Sequence, residues 1–193
     1  MSDIDRRTIL GLIGGLAAAP IPCVSASAQS PAVSRTTAYA FSFKTLDGAD
    51  LRLAQHAGKP LLIVNTASLC GYTPQFAGLE TLWARYRERG LLVLGVPSND
   101  FGGQEPGAAA DIQRTAHAHG ASFPLMAKVD VKGEAAHPFY RWAALQRPLD
   151  TPRWNFHKYL VGRDGLIAGA YPSAVEPLDA RIIAAIEKEL RPA

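Results

Sequence analysis

Two continuous apolar runs separated by a helical period constrain this chain more than any other feature. Leu61 to Ala67, LLIVNTA, is bounded by Pro60 and reads as a strand buried on both faces. Leu91 to Pro97, LLVLGVP, is a second run of the same kind. Between them Phe76, Leu79, Trp83 and Tyr86 recur at helical spacing, Pro74 suits a first helical turn and Gly90 a stop. Strand, helix, strand requires parallel strands and a right-handed crossover. Cys70 then falls at the carboxyl end of a parallel strand, just ahead of a helix N-terminus.

The remaining pattern completes one α/β domain over residues 41–193. Phe41-Ser42-Phe43 and Leu51-Arg52-Leu53 alternate around the turn signal Asp47-Gly48, a short hairpin. A second helix is predicted over Ala108 to His119. Strands are predicted at Tyr159 to Val161 and Ile167 to Tyr171, joined by Arg163-Asp164-Gly165. A last helix starts near Pro177, with Leu178, Ile182, Ile186 and Leu190 on one face. A 48% hydrophobic and 19% charged composition suits a packed soluble protein. The net charge of +3 is scattered, with no Lys/Arg run beyond two, so a nucleic-acid partner is not expected.

Residues 1–28 differ from the rest. Arg6-Arg7 precede ILGLIGGLAAAPIP, and Ala26-Ser27-Ala28 is a small-x-small cleavage pattern. This reads as an export signal, and its paired arginines suggest the twin-arginine route, although Asp3 and Asp5 offset the local charge. The protein is expected to be periplasmic or secreted. Cys23 is discarded with the signal or carries a lipid, and Ile21-Pro22 fits lipid attachment poorly. Residues 29–40, QSPAVSRTTAYA, read as a flexible tether. After cleavage Cys70 is the one cysteine left, so no disulfide within the monomer is possible, and either a reactive or a buried inert thiol remains.

Position favours reactivity, because a helix N-terminus favours the thiolate. The loop PSNDFGGQEPG, Pro97 to Gly107, follows the neighbouring parallel strand and converges on the same sheet edge. RWNFHKYLVGRDG, Arg153 to Gly165, sets Trp154 and Asn155 just before a strand. Taken singly, these read as a turn, a core tryptophan and a loop-capping asparagine. The five histidines lack ligand spacing and are read as surface or structural, so no metal or other cofactor is expected.

Together, NTASLCGYTPQFAGLETLWARYRERGLLVLGVPSNDFGGQEPG and WNFHKYLVGRDG resemble the three signature blocks of the glutathione peroxidase family. The resemblance implies a thioredoxin-like fold, a central mixed β-sheet flanked by helices. It also implies reduction of hydrogen peroxide or organic hydroperoxides by thiols. Cys70 would be the peroxidatic residue, with Gln104, Trp154 and Asn155 as its hydrogen-bonding companions. The amides and the indole N–H are donors that can stabilise a thiolate without competing as bases.

The chain departs from the family at several points. Leu69 stands where many members have a basic residue, and Ser98 where many have cysteine. Asp111 to Met126 lacks the resolving cysteine of thioredoxin-dependent members. The oxidised thiol must then be reduced by an outside thiol, glutathione or a partner protein's cysteine. A peroxide-sensing protein that passes its oxidation to a partner through a mixed disulfide is the alternative. The link Gln146 to Arg153 is short where tetrameric relatives carry an insertion, so a monomer is expected.

Overall fold

The computed structural model describes residues 36–191. The export segment, Cys23 and the first part of the tether lie outside the described residues. In chain order the elements are β1 (Ser42–Lys44), β2 (Asp50–Arg52), β3 (Leu61–Thr66), α1 (Gln75–Tyr86), β4 (Leu92–Pro97), α2 (Ala109–Ala118), α3 (Pro138–Gln146), β5 (Lys158–Val161), β6 (Ile167–Tyr171) and α4 (Ala180–Glu189).

β3 and β4 pair in parallel from Leu61 opposite Leu92 to Thr66 opposite Pro97, as the crossover requires. β5 pairs antiparallel with β3, and β6 with β5, so the sheet order is β4-β3-β5-β6. The sheet is mixed, and β3 is central and wholly buried. Alternation divides its side chains between two cores. Leu61, Ile63, Leu94, Val96 and Tyr159 face α3 and the β1–β2 hairpin through Phe139, Trp142 and Phe43. Leu62, Val64, Val93 and Leu160 face α1 and α4 through Phe76, Leu79, Ile182 and Ile186. Each fully buried Leu, Ile, Val or Phe contributes roughly 1.5–3 kcal/mol of transfer free energy, so the two cores fix β3 from both sides.

The helix ends have local causes. α1 tightens into a 3-10 turn at Arg87–Arg89 and stops at Gly90, whose φ of 105° suits glycine alone. α4 begins at Ala180, because the Asp179 carboxylate accepts the Arg181 N–H at 2.9 Å as an N-cap. Leu178 therefore lies outside the helix and is exposed, which corrects the four-residue stripe read from sequence.

The tether also ends earlier than expected. Ala38 is fully buried, its N–H donates to Gly165 O at 2.8 Å, and Trp142 Nε1 donates to Thr36 O at 3.0 Å. Residues 36–40 belong to the packed domain, since a buried indole N–H needs an acceptor that the small, featureless sequence did not advertise. A chain beginning at Phe41 should be less stable than one beginning at Thr36 by about 1–3 kcal/mol, the cost of orphaning that donor. Urea unfolding midpoints measure this, and equal midpoints would return residues 36–40 to the tether.

Candidate active site

Past Thr66 the chain leaves β3 and coils through overlapping turns before α1 begins. Thr73 organises this stretch. Its Oγ1 accepts the Cys70 N–H at 3.1 Å and lies 2.7 Å from Cys70 O and 2.9 Å from Ala67 O, either of which can take its proton. Cys70 is buried, with 7% of its surface exposed, and its Sγ accepts the Tyr72 N–H at 3.4 Å. Neighbouring Leu69 is exposed. The thiol thus accepts one backbone N–H within the turns that lead into α1.

The Pro97–Gly107 loop is held to this turn through its backbone. Leu69 N–H donates to Gln104 O at 3.0 Å, and Asn99 Oδ1 accepts the Glu105 N–H at 2.8 Å. Gly102 and Gly103 both take positive φ, 66° and 63°, and Gly102 lies against the Trp154 ring. A side chain at either position would be strained, so the pair delivers Gln104 where other residues could not.

Asn65, near the end of β3, holds the third segment. Its Nδ2 donates to Trp154 O at 3.1 Å and its Oδ1 accepts the His157 N–H at 3.0 Å. Its own backbone N–H and carbonyl bond to His157 O and the Phe156 N–H, at 3.2 and 2.5 Å. Phe156 has a φ of 62°, the one positive value at a non-glycine residue among those described. Asn155 is fully buried, and its Nδ2 donates to Gln104 Oε1 at 2.9 Å. Trp154 is 39% exposed and packs on Phe101 with centroids 5.9 Å apart.

The three loops of the sequence reading therefore converge on one sheet edge. Gln104 and Asn155 meet directly, and Gln104 joins the Cys70 turn through its carbonyl. One expected feature differs. Among the described residues the hydrogen bond reaching Sγ comes from Tyr72, and none comes from the amides of Gln104 and Asn155 or from the indole of Trp154. Asn155 Nδ2 gives one of its two N–H groups to Gln104 Oε1, so it is the amide oxygen of Gln104 that this pair engages. Sequence reasoning missed Asn65, Thr73 and Tyr72. Asn65 had a signal, a polar residue inside an otherwise apolar strand. The Tyr72 contribution is a backbone N–H, which no side-chain pattern can announce.

The family model for glutathione peroxidase matches residues 38–144. A hydroperoxy fatty acid reductase from Synechocystis sp. is 42% identical over 169 residues, 82% of this chain and 99% of that protein. The chain belongs to the glutathione peroxidase family. Its activity is accordingly that of an oxidoreductase reducing peroxides with thiols. A solved structure, Trgpx in its apo form, superposes with a TM-score of 0.67 at 34% identity, covering 82% of this chain and 99% of that one. A thioredoxin-family thiol:disulfide interchange protein from Chlorobium tepidum matches at a TM-score of 0.54 and 18% identity, over 78% of this chain and 93% of that one, and marks the fold as thioredoxin-like.

Within this glutathione peroxidase fold, two ionisable groups beside the site are buried. Glu105 follows Gln104 and is buried; burial pushes its pKa up, opposed by the nearby Ser68 hydroxyl and N–H, which lie outside good hydrogen-bond geometry, and by the charge of Lys128. His157 lines a cavity of about 400 Å³ together with Tyr72, Leu149, Arg153 and Trp154. No cluster of three or more His, Cys, Asp or Glu side chains gathers with metal-ligand geometry among the described residues.

Burial, reinforced by the charge of Lys158, lowers the His157 pKa from 6.5 to about 4, so the ring is neutral at pH 7. Below pH 6.5 the unfolded chain takes up a proton that the folded ring refuses. The stability tied to a neutral His157 is therefore fully present above pH 6.5 and lost as pH falls toward 4. The loss amounts to roughly 3 kcal/mol. His157→Asn should flatten the fall in unfolding free energy, read from urea titrations at pH 7 and pH 4, by about that amount. Parallel pH dependences in the two proteins would mean His157 titrates normally.

Proposed function

We propose that Cys70 is the peroxidatic thiol, with Gln104, Trp154 and Asn155 as its companions. The observation that carries this reading is the junction of three loops: the Tyr72 N–H on Sγ, the Leu69–Gln104 backbone bond, and the Gln104–Asn155 amide bond. The Cys70 thiolate attacks one oxygen of the hydroperoxide, an S–O bond forms and the O–O bond breaks. The leaving alkoxide or hydroxide takes a proton and departs as alcohol or water, and Cys70 becomes a sulfenic acid. The Gln104 Nε2 and the Trp154 indole N–H, which do not reach Sγ in the resting thiol, become useful at this step, because active-site hydrogen bonds tighten when charge develops.

Reduction then comes from outside the chain. An external thiol attacks the sulfenic sulfur, releasing water and leaving a mixed disulfide, and a second thiol frees Cys70. Glutathione or a protein thiol serves as reductant in this reading. The relative from Synechocystis sp. is named for hydroperoxy fatty acids. The cavity beside Trp154, with Leu149 and Tyr72 in its wall, gives an organic hydroperoxide apolar surface to lie on. The protein is further proposed to act as a monomer exported to the periplasm or beyond the cell, away from membranes once its signal is removed. The Arg6-Arg7 pair, the apolar run and Ala26-Ser27-Ala28 support this.

Intact mass tests the thiol assignment. One equivalent of hydrogen peroxide without reductant should add one oxygen to the mature chain, and glutathione should convert that species to a mixed disulfide and then to free thiol. Cys70→Ser should fold and lose turnover to below a few per cent of wild type. A variant that keeps turning over would sink the assignment. Loss of two hydrogens in place of a gained oxygen would mean that Cys23 is retained and resolves Cys70. The mature chain from the producing cell should begin at Gln29 on N-terminal sequencing, and a start at Met1 would remove the basis for export.

A further inference from the structure

Lys158 opens β5, and none of its surface is exposed. Burying an ammonium is unfavourable unless its donors are satisfied, and a well-packed apolar side chain would serve stability alone at least as well. Its Nζ donates to Gln75 Oε1 at 2.7 Å and to Phe156 O at 2.8 Å, with Ser173 O at 3.5 Å. Gln75, itself buried, passes the link on through Nε2 to Ser173 O at 2.8 Å and Glu176 Oε1 at 3.2 Å. The acceptors of the ammonium are thus neutral, and Glu176 is one hydrogen bond removed. In keeping with this, burial pulls the Lys158 pKa down to about 8 against the attraction of Glu176.

The position of this network gives it a use. Gln75 is the first residue of α1, reached through the turn that holds Cys70. Phe156 follows Asn155 with a φ of 62°, a left-handed conformation that residues other than glycine rarely adopt. Such a conformation persists only where its surroundings over-determine it. Here the Phe156 N–H is held by Asn65 O, its carbonyl by Lys158, and its ring lies edge-on to Phe76 of α1 at 5.3 Å. Asn65 ties the Trp154–Asn155 loop to the chain before Cys70. The lysine ties the same loop to the chain after it.

We infer that Lys158 is a positioning residue, whose ammonium joins Gln75 of the Cys70 helix to the Phe156 carbonyl and so sets the gap between the thiol and the Trp154–Asn155 loop. This rests on the assignment of those residues to peroxide chemistry. Misplacement of a reacting group by about 1 Å can cost on the order of 10²-fold in rate.

Lys158→Met keeps the length of the side chain and removes every donor. It should slow oxidation of Cys70 by hydrogen peroxide about 10–100-fold, in line with such a misplacement. It should also shift the indole N–H resonance of Trp154, identified by its absence in Trp154→Phe. The double variant Lys158→Met/Gln75→Met removes the lysine together with its side-chain acceptor, leaves the Phe156 carbonyl without that donor, and should regain part of the unfolding midpoint while the slow rate remains. Lys158→Arg, which keeps donors and charge, should react faster than Lys158→Met. If Lys158→Met does not fold, Gln75→Met alone cuts the same tie and is read by the same rate and resonance. Recovery of the rate together with the midpoint would reduce Lys158 to a structural role. A wild-type rate with an unmoved Trp154 resonance would overturn the inference outright. If the wild-type chain itself shows no peroxide-dependent oxidation of Cys70, the functional reading falls, while the Trp154 resonance still judges the tie.

Discussion

One buried asparagine holds the central strand to the loop before β5. Asn65 lies in the central strand with no surface exposed and spends all four of its backbone and side-chain hydrogen-bonding groups on residues 154–157. A buried amide without partners would cost about 1–3 kcal/mol per orphaned group, so β3 and the loop before β5 cannot separate cheaply. That loop must enter β5 through a positive φ at Phe156. The register of β5 on β3, Val64 opposite Lys158, continues directly from the Asn65 bonds. Sheet order and site geometry thus share one interaction.

Polar groups inside the fold follow the same logic. Asn65, Gln75, Asn155 and Lys158 are all buried, and their bonds run between segments far apart in sequence, while buried Thr73 closes the local turn from Ala67 to Cys70. A fully satisfied buried network specifies one arrangement of its elements, because any other leaves donors unmet in a low dielectric. The apolar cores on either face of the sheet supply most of the driving force for folding, yet they would tolerate small slips of one loop against another. The polar ties do not tolerate such slips. Exceptions stand out against this pattern: by hydrogen-bond geometry the Glu105 carboxylate, Asn155 Oδ1, Thr66 Oγ1, Tyr140 Oη and His157 Nε2 are buried without partners among the described residues.

Backbone groups set the surroundings of the thiol. Leu69, not a basic side chain, stands beside Cys70, and the Tyr72 N–H meets Sγ within the turns that lead into α1. Thr73 holds those turns by bonding to both the N–H and the carbonyl of Cys70. With no further cysteine in residues 36–191, the oxidised state has no partner within the described fold.

Local pattern was enough to read β3, α1 and β4, with the parallel crossover between them, because a buried strand and an amphipathic helix write their burial directly into residue order. β6 was likewise legible at Ile167–Tyr171, and the candidate residues Cys70, Gln104, Trp154 and Asn155 were visible through their motifs and family resemblance. The start of the packed domain at Thr36, the exposure of Leu178, the Gln104–Asn155 pairing and the roles of Asn65 and Lys158 were not. Each depends on contacts between segments tens of residues apart, and a hydrogen-bond partner supplied from that distance leaves no period in the local sequence. Sequence alone determined which residues were available to the site and which strands had to be buried. Tertiary structure alone decided which donor meets which acceptor, since that choice is made by the packing of the sheet and loops as a whole.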